Sequence, residues 1–136
     1  MPEDESGANP GPPKGKPVDE MFLVNQTKIQ SIQRCKRMLR FLQLLAEGHH
    51  TEMQNYLREQ LLANGVPSQR SFDFISYLAG MLSLYEKSYI NVNTCDLGAQ
   101  LFDTLIELVQ GPCRMNQRRL VEAKVIDCCR DLIQQG

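Results

Sequence analysis

Two acidic residues are placed where a carboxylate has to be balanced by something. Glu47 falls in the last turn of a predicted helix over about 25–47, and Glu107 in the last turn of another that begins at Asn93 or Thr94. The C-terminal end of a helix carries the negative end of its dipole, which disfavours an acid. Both residues also sit among apolar neighbours: Leu44, Leu45 and Ala46 beside one, Leu105, Ile106, Leu108 and Val109 beside the other. A carboxylate so placed needs a cation, a basic partner or water. On the residues alone, exposure to water is the simpler reading.

Other constellations are poorer. The five cysteines (35, 95, 113, 128 and 129) form no Cys-x-x-Cys pair, and His49 and His50 lie far from most of them in sequence, so a zinc site is not expected. Three of them fall on apolar helix faces, where small buried thiols are common, and all five are expected to be reduced. His49-His50 follows a helix end and reads as a polar loop. No serine–histidine–acid or cysteine–histidine signature exists, so the chain is not expected to be an enzyme. Lys14-Gly15-Lys16 lacks the glycine spacing and preceding strand of a phosphate loop. Lys28, Arg34, Lys36, Arg37 and Arg40 form a basic face without interleaved aromatics, which suits solvent or a domain contact better than nucleic acid.

These residues must be positioned by helices. Ile29, Ile32, Cys35, Met38/Leu39, Leu42 and Leu45 recur at helical spacing and end near Gly48. Thr51-Glu52-Met53-Gln54 fits a capping box that opens a short second helix, with Met53, Tyr56, Leu57, Gln60 and Leu61 on its turns and Asn64-Gly65-Val66-Pro67 as its stop. A third helix runs from about Ser71 to Tyr85, its stripe of Phe72, Ile75, Leu78/Ala79, Leu82 and Tyr85 widened by Phe74, Met81 and Leu84. The fourth carries Leu97, Leu101, Leu105 and Leu108 and is stopped by Gly111-Pro112. The fifth spans about 116–135. The expected fold is therefore all-α, an armadillo-like stack of about five helices over 21–136.

The chain has 136 residues and a net charge of −1, with 42% hydrophobic and 23% charged residues, which gives no bulk-charge argument for nucleic acid or acidic lipid. Residues 1–20 hold five of the seven prolines and five acids and read as a disordered tail. The longest uncharged stretch, Phe74 to Tyr85, falls short of the roughly 20 residues of a membrane span. No polar capping repeat follows the last helix, as a stacked array needs, which suggests a piece of something larger.

Two segments are specific. Leu39-Arg40-Phe41-Leu42-Gln43-Leu44-Leu45-Ala46-Glu47-Gly48-His49 leads into Gln54-Asn55-Tyr56-Leu57-Arg58. Later comes Leu105-Ile106-Glu107-Leu108-Val109-Gln110-Gly111-Pro112-Cys113, followed by Asn116-Gln117. In this order they resemble the homology-associated (RIH-associated) helical domain of ryanodine and inositol trisphosphate receptors, the calcium-release channels of the endoplasmic and sarcoplasmic reticulum. The resemblance covers roughly 37–133 and weakens through 61–93. Glu47-Gly48-His49 and Tyr56 look more like ryanodine receptors, whereas Tyr89-Ile90-Asn91 looks more like the inositol trisphosphate side, and the balance leans to the ryanodine branch. Ala46 stands where the family usually has cysteine, and His50 where it usually has asparagine.

The resemblance implies a cytosolic solenoid domain of a channel subunit, on the cytoplasmic face of the reticulum membrane, that couples calcium to gating in a tetramer formed through other regions. It implies that Glu47 and Glu107 match two carboxylates that bind activating calcium, with His49 and Gln110 as polar neighbours behind them. A further ligand would come from a separate C-terminal domain, so calcium binding by this chain alone is expected to be weak. The competing expectation is a free-standing armadillo-like protein-interaction module without channel activity.

Overall fold

The computed structural model describes residues 17–88 and 90–135. Among them are six helices: α1 (Pro17–Ala46), α2 (Thr51–Arg58), α3 (Phe74–Ser88), α4 (Cys95–Val109), α5 (Arg114–Glu122) and α6 (Val125–Gln135). Extended pairing among the described residues is limited to an isolated bridge between Leu61 and Pro67. The all-α stack expected from the helical periodicity is what forms.

The first helix starts at Pro17, well before residue 25, with a proline at the first helical position, where its missing N–H costs nothing. The tail expected over 1–20 therefore gives up 17–20 to this helix, and residues 1–16 lie outside the described range. Residues 21–31 of α1 are all exposed. Packing begins at Ile32 and continues through Cys35, Leu39, Leu42, Leu45 and Ala46. Ile29 and Met38, counted in the predicted stripe, are exposed.

The packed half of α1 lies against α4, and the two helices run in the same direction. Lys36 pairs with Asp96 at the start of α4 (3.4 Å), Gln100 donates to Gln43 (2.8 Å), and His49 abuts Gly111 just past both helix ends. Thr104, fully buried, fixes the register: its hydroxyl lies 2.7 Å from Gln100 O and 3.1 Å from Leu39 O. Both C-termini therefore reach the same end of the molecule.

Helix α3 is the centre. Ile75, Leu78, Ala79, Leu82 and Tyr85 are buried, and α2, α4, α5 and α6 all pack against it. Asp73 caps it by accepting from Ser76 N (3.0 Å) and pairs with Arg119 of α5 (3.3 Å). Leu84, expected to widen the buried stripe, is exposed. The end of α3 meets the start of α4 at Gly98, where a Cβ would overlap the Tyr85 ring. Gly98→Ala is expected to lower stability by about 1–3 kcal/mol through overpacking. A urea midpoint equal to that of the unmodified chain would show the contact to be slack.

Two expected elements are corrected. The second helix stops at Arg58, because Glu59 is extended and the Gln60 side chain turns back onto Tyr56 O and Phe72 O. Residues 60–68 form a small loop closed by Leu62 N to Val66 O (2.8 Å) and Ser68 N to Gln60 O (2.9 Å). The expected fifth helix is two helices. Lys124 adopts φ +58°, which breaks the chain between α5 and α6 and lets Val125, Cys128, Cys129 and Leu132 turn onto the core.

Candidate functional site

The α1–α2 corner is built from two consecutive left-handed residues, Gly48 (φ +74°) and His49 (φ +59°). Glycine adopts this conformation freely, whereas for histidine it is uncommon. The pair reverses the chain directly after Glu47, which follows the last residue of α1 and is exposed. His50, not Thr51, caps α2: its Nδ1 accepts from Met53 N (3.2 Å), while the Thr51 hydroxyl donates to His49 O (3.3 Å). The predicted capping box is thus replaced, and Gln54 is released for another role.

Gln54 crosses to the end of α4. It is fully buried, and its Nε2 donates to Glu107 O (2.7 Å) and Gln110 O (2.9 Å). Asn116, equally buried, donates through Nδ2 to Leu108 O (2.7 Å) and to Gln54 O (3.0 Å), and its Oδ1 accepts from Arg58 (2.8 Å). Gln117 donates to Val109 O (2.9 Å) and Gly111 O (3.0 Å). The five successive carbonyls of 107–111 therefore each receive a side-chain amide. The first four of these are the carbonyls that the end of α4 leaves without intrahelical partners.

Gly111 is needed twice over. It sits at φ +80°, and a Cβ there would meet His49 Cβ at 3.3 Å and Cγ at 3.4 Å. This contact sets His49, two residues after Glu47, beside Gly111, four residues after Glu107. The structure thus gathers the chain segments bearing Glu47, His49, Glu107 and Gln110 at one end, where α1 and α4 both terminate. Glu107 is half-buried, and its Oε2 is a buried oxygen without a hydrogen-bond partner. Gln54 Oε1 is buried and unpartnered as well. An unpaired buried carboxylate oxygen is costly unless a cation or donor reaches it. Two helix C-termini and the carboxyl groups of Glu47 and Glu107, the latter with a buried unpartnered oxygen, are the donor chemistry that a hard, oxygen-preferring cation takes. Groups of three or more His, Cys, Asp or Glu side chains able to hold a metal do not occur among the described residues.

Sequence reasoning missed Gln54 and Asn116 as parts of this end. Gln54 reads as a capping-box residue, and Asn116 as the start of a helix. A buried amide has no periodic signature.

Cys113 is buried, Cys35, Cys128 and Cys129 are half-buried and Cys95 is exposed. All five are free. Burial pushes the Cys35 thiol above its ordinary range, and burial followed by the neighbouring Cys128 does the same for Cys129. Exposed Cys95 is expected to alkylate first with iodoacetamide, and Cys35 and Cys129 to lag at about pH 8. A raised thiol pKa means less thiolate below it, so the lag closes as pH rises and vanishes in denaturant. By the same sign, the stability linked to these two thiols is full at neutral pH and declines as pH climbs through their folded-state range. Equal rates for all five thiols in the folded chain would contradict this.

No described helix is long and apolar enough to cross a membrane. No solved structure matches the chain. The family described as RyR and IP3R Homology associated matches residues 29–133. An inositol 1,4,5-trisphosphate receptor of Caenorhabditis elegans is 35% identical over 86 residues, which is 61% of this chain and 3% of that receptor. The match thus spans about 3% of the length of that receptor. With the family matched over most of its length, the chain belongs to the RyR and IP3R homology-associated family.

Proposed function

We propose that this chain is a regulatory helical domain of an intracellular calcium-release channel subunit and contributes half of an activating calcium site. Glu47 and Glu107 supply carboxylate oxygens from the joined ends of α1 and α4. His49 packs on Gly111 and fixes the corner that carries Glu47. Gln110 is held through its backbone carbonyl beside Glu107. The observation that supports this reading best is the buried, unpartnered Oε2 of Glu107 at an end where two helix dipoles are negative.

Calcium takes six to eight oxygens, and two carboxylates with water leave that shell loosely filled. A further domain of the subunit, C-terminal to this one, completes it. Calcium then stabilises the arrangement in which the two domains meet, and this difference in affinity between arrangements is what couples the ion to a gate. The domain does no covalent chemistry. Its place is the cytoplasmic face of the endoplasmic or sarcoplasmic reticulum, in a tetramer assembled through other regions.

Calorimetry on the chain tests the half-site. Calcium is expected to bind in the millimolar range of open sites, and Glu47→Gln or Glu107→Gln to remove that binding. Submicromolar binding that survives either substitution would overturn the assignment.

A further inference from the structure

We propose that Gln54 and Asn116 are positioning residues for the Glu107 carboxylate, an amide bracket through which α2 and α5 set the geometry of the cation site. The inference rests on the half-site reading above and adds residues to it. Gln54 reaches across 53 residues to Glu107 O and 56 to Gln110 O with one NH2 group, at 2.7 and 2.9 Å. Those two bonds fix the peptide units on either side of the last turn of α4, and with them the direction in which the Glu107 side chain leaves the helix. Asn116 locks the bracket from the other side. It holds Leu108 O and the backbone carbonyl of Gln54 itself, and is held in turn by Arg58.

Two features separate this from ordinary helix capping. Gln117 caps Val109 and Gly111 from an exposed position, so capping does not require buried amides. Gln54 and Asn116 are fully buried, and each donates through its amide to two carbonyls at once, which ties the end of α4 to α2 and α5 rather than to solvent. Gln54 also leaves its own Oε1 buried and unpartnered. The orphaned acceptor is a cost that the two bonds to Glu107 O and Gln110 O offset. An amide that holds two carbonyls in a fixed relation has to leave its oxygen there, because turning the amide over would set that oxygen against both carbonyls. The partners that orient a metal ligand govern affinity nearly as strongly as the ligand does.

The test uses terbium as the probe, a hard trivalent cation that prefers oxygen ligands as calcium does. Luminescence reports its affinity for the full chain, and the lifetime in H2O against D2O reports the number of water molecules on the ion. Gln54→Met and Asn116→Leu keep side-chain volume and lose the amide donors. Each is expected to weaken terbium binding about 10- to 100-fold, and to add water to the bound ion, with Glu107 intact. Gln54→Asn keeps an amide but falls one methylene short, so it is expected to lie between, and it serves if Gln54→Met fails to fold. Gly98→Ala, destabilised at the opposite end of α4, is the control and is expected to bind terbium as the unmodified chain does below its melting temperature. Folded Gln54 and Asn116 variants with lowered melting temperatures but unchanged affinity and lifetime would overturn the bracket while leaving the half-site standing. Terbium that binds the unmodified chain no tighter than a Glu47→Gln/Glu107→Gln double variant would instead contradict the half-site itself.

Discussion

Leu82→Ala is expected to cost about 2–5 kcal/mol, the largest stability loss of any single truncation in α3. Leu82 is fully buried in the middle of the helix on which α2, α4, α5 and α6 all pack. Removing its isobutyl group leaves a cavity that four rigid neighbours cannot collapse into together. A domain of this size has about 5–15 kcal/mol of stability in all, so the substitution takes a large fraction of it. By contrast Leu84→Ala, two residues on but 60% exposed, is expected to change little. Urea unfolding of the two variants measures the difference. Equal midpoints would mean that α3 is not the centre of the core.

Glu107→Ala, made in an intact channel subunit that carries this domain, is expected to move calcium activation to about tenfold higher concentration or more, since loss of a charged oxygen ligand from a sparse shell removes at least one order of magnitude in affinity. Folding and assembly are expected to persist, because the carboxylate makes no hydrogen bond through Oε2 and the carbonyl of Glu107 keeps Gln54. Asp103→Asn, on the same helix but exposed, is the matched substitution and is expected to leave activation unchanged. Open probability recorded against free calcium separates the two. An activation curve for Glu107→Ala that overlays the unmodified one would remove this residue from gating.

What could be read from the sequence follows from which signals are local. The helical stripes of α1, α3 and α4 repeat every three or four residues, and the core they predict is the core that forms at Leu39, Ile75, Leu78, Leu82, Leu101, Leu105 and Leu108. Gly111-Pro112 is a local stop, and α4 does end at Val109. The break at Lys124 left no such trace, since neither glycine nor proline marks it and tertiary packing of α6 decides it. The second helix misled for a related reason. Gln60 looks like a helix residue in a linear reading, but its amide is drawn to Phe72 beyond a loop, and Gln54, which does lie in α2, uses its amide on the carbonyls of α4 rather than on a cap. The same holds for the candidate site. The residue types and helix-end positions of Glu47 and Glu107 were visible, and the parallel run of α1 and α4 that brings their ends together was not. That arrangement depends on contacts between residues about 60 positions apart, such as Lys36 with Asp96.

A calcium titration of the isotopically labelled chain, followed by carboxylate and backbone chemical shifts, decides whether the joined ends of α1 and α4 take the ion. Shifts are expected to saturate in the millimolar range and to concentrate at Glu47, His49, Glu107 and Gln110, with exposed Asp127, half-buried Asp131 and their Arg130 pairs unaffected. Shifts spread evenly over the acidic surface, or centred on Asp127 and Asp131 with Glu47 and Glu107 silent, would contradict the half-site.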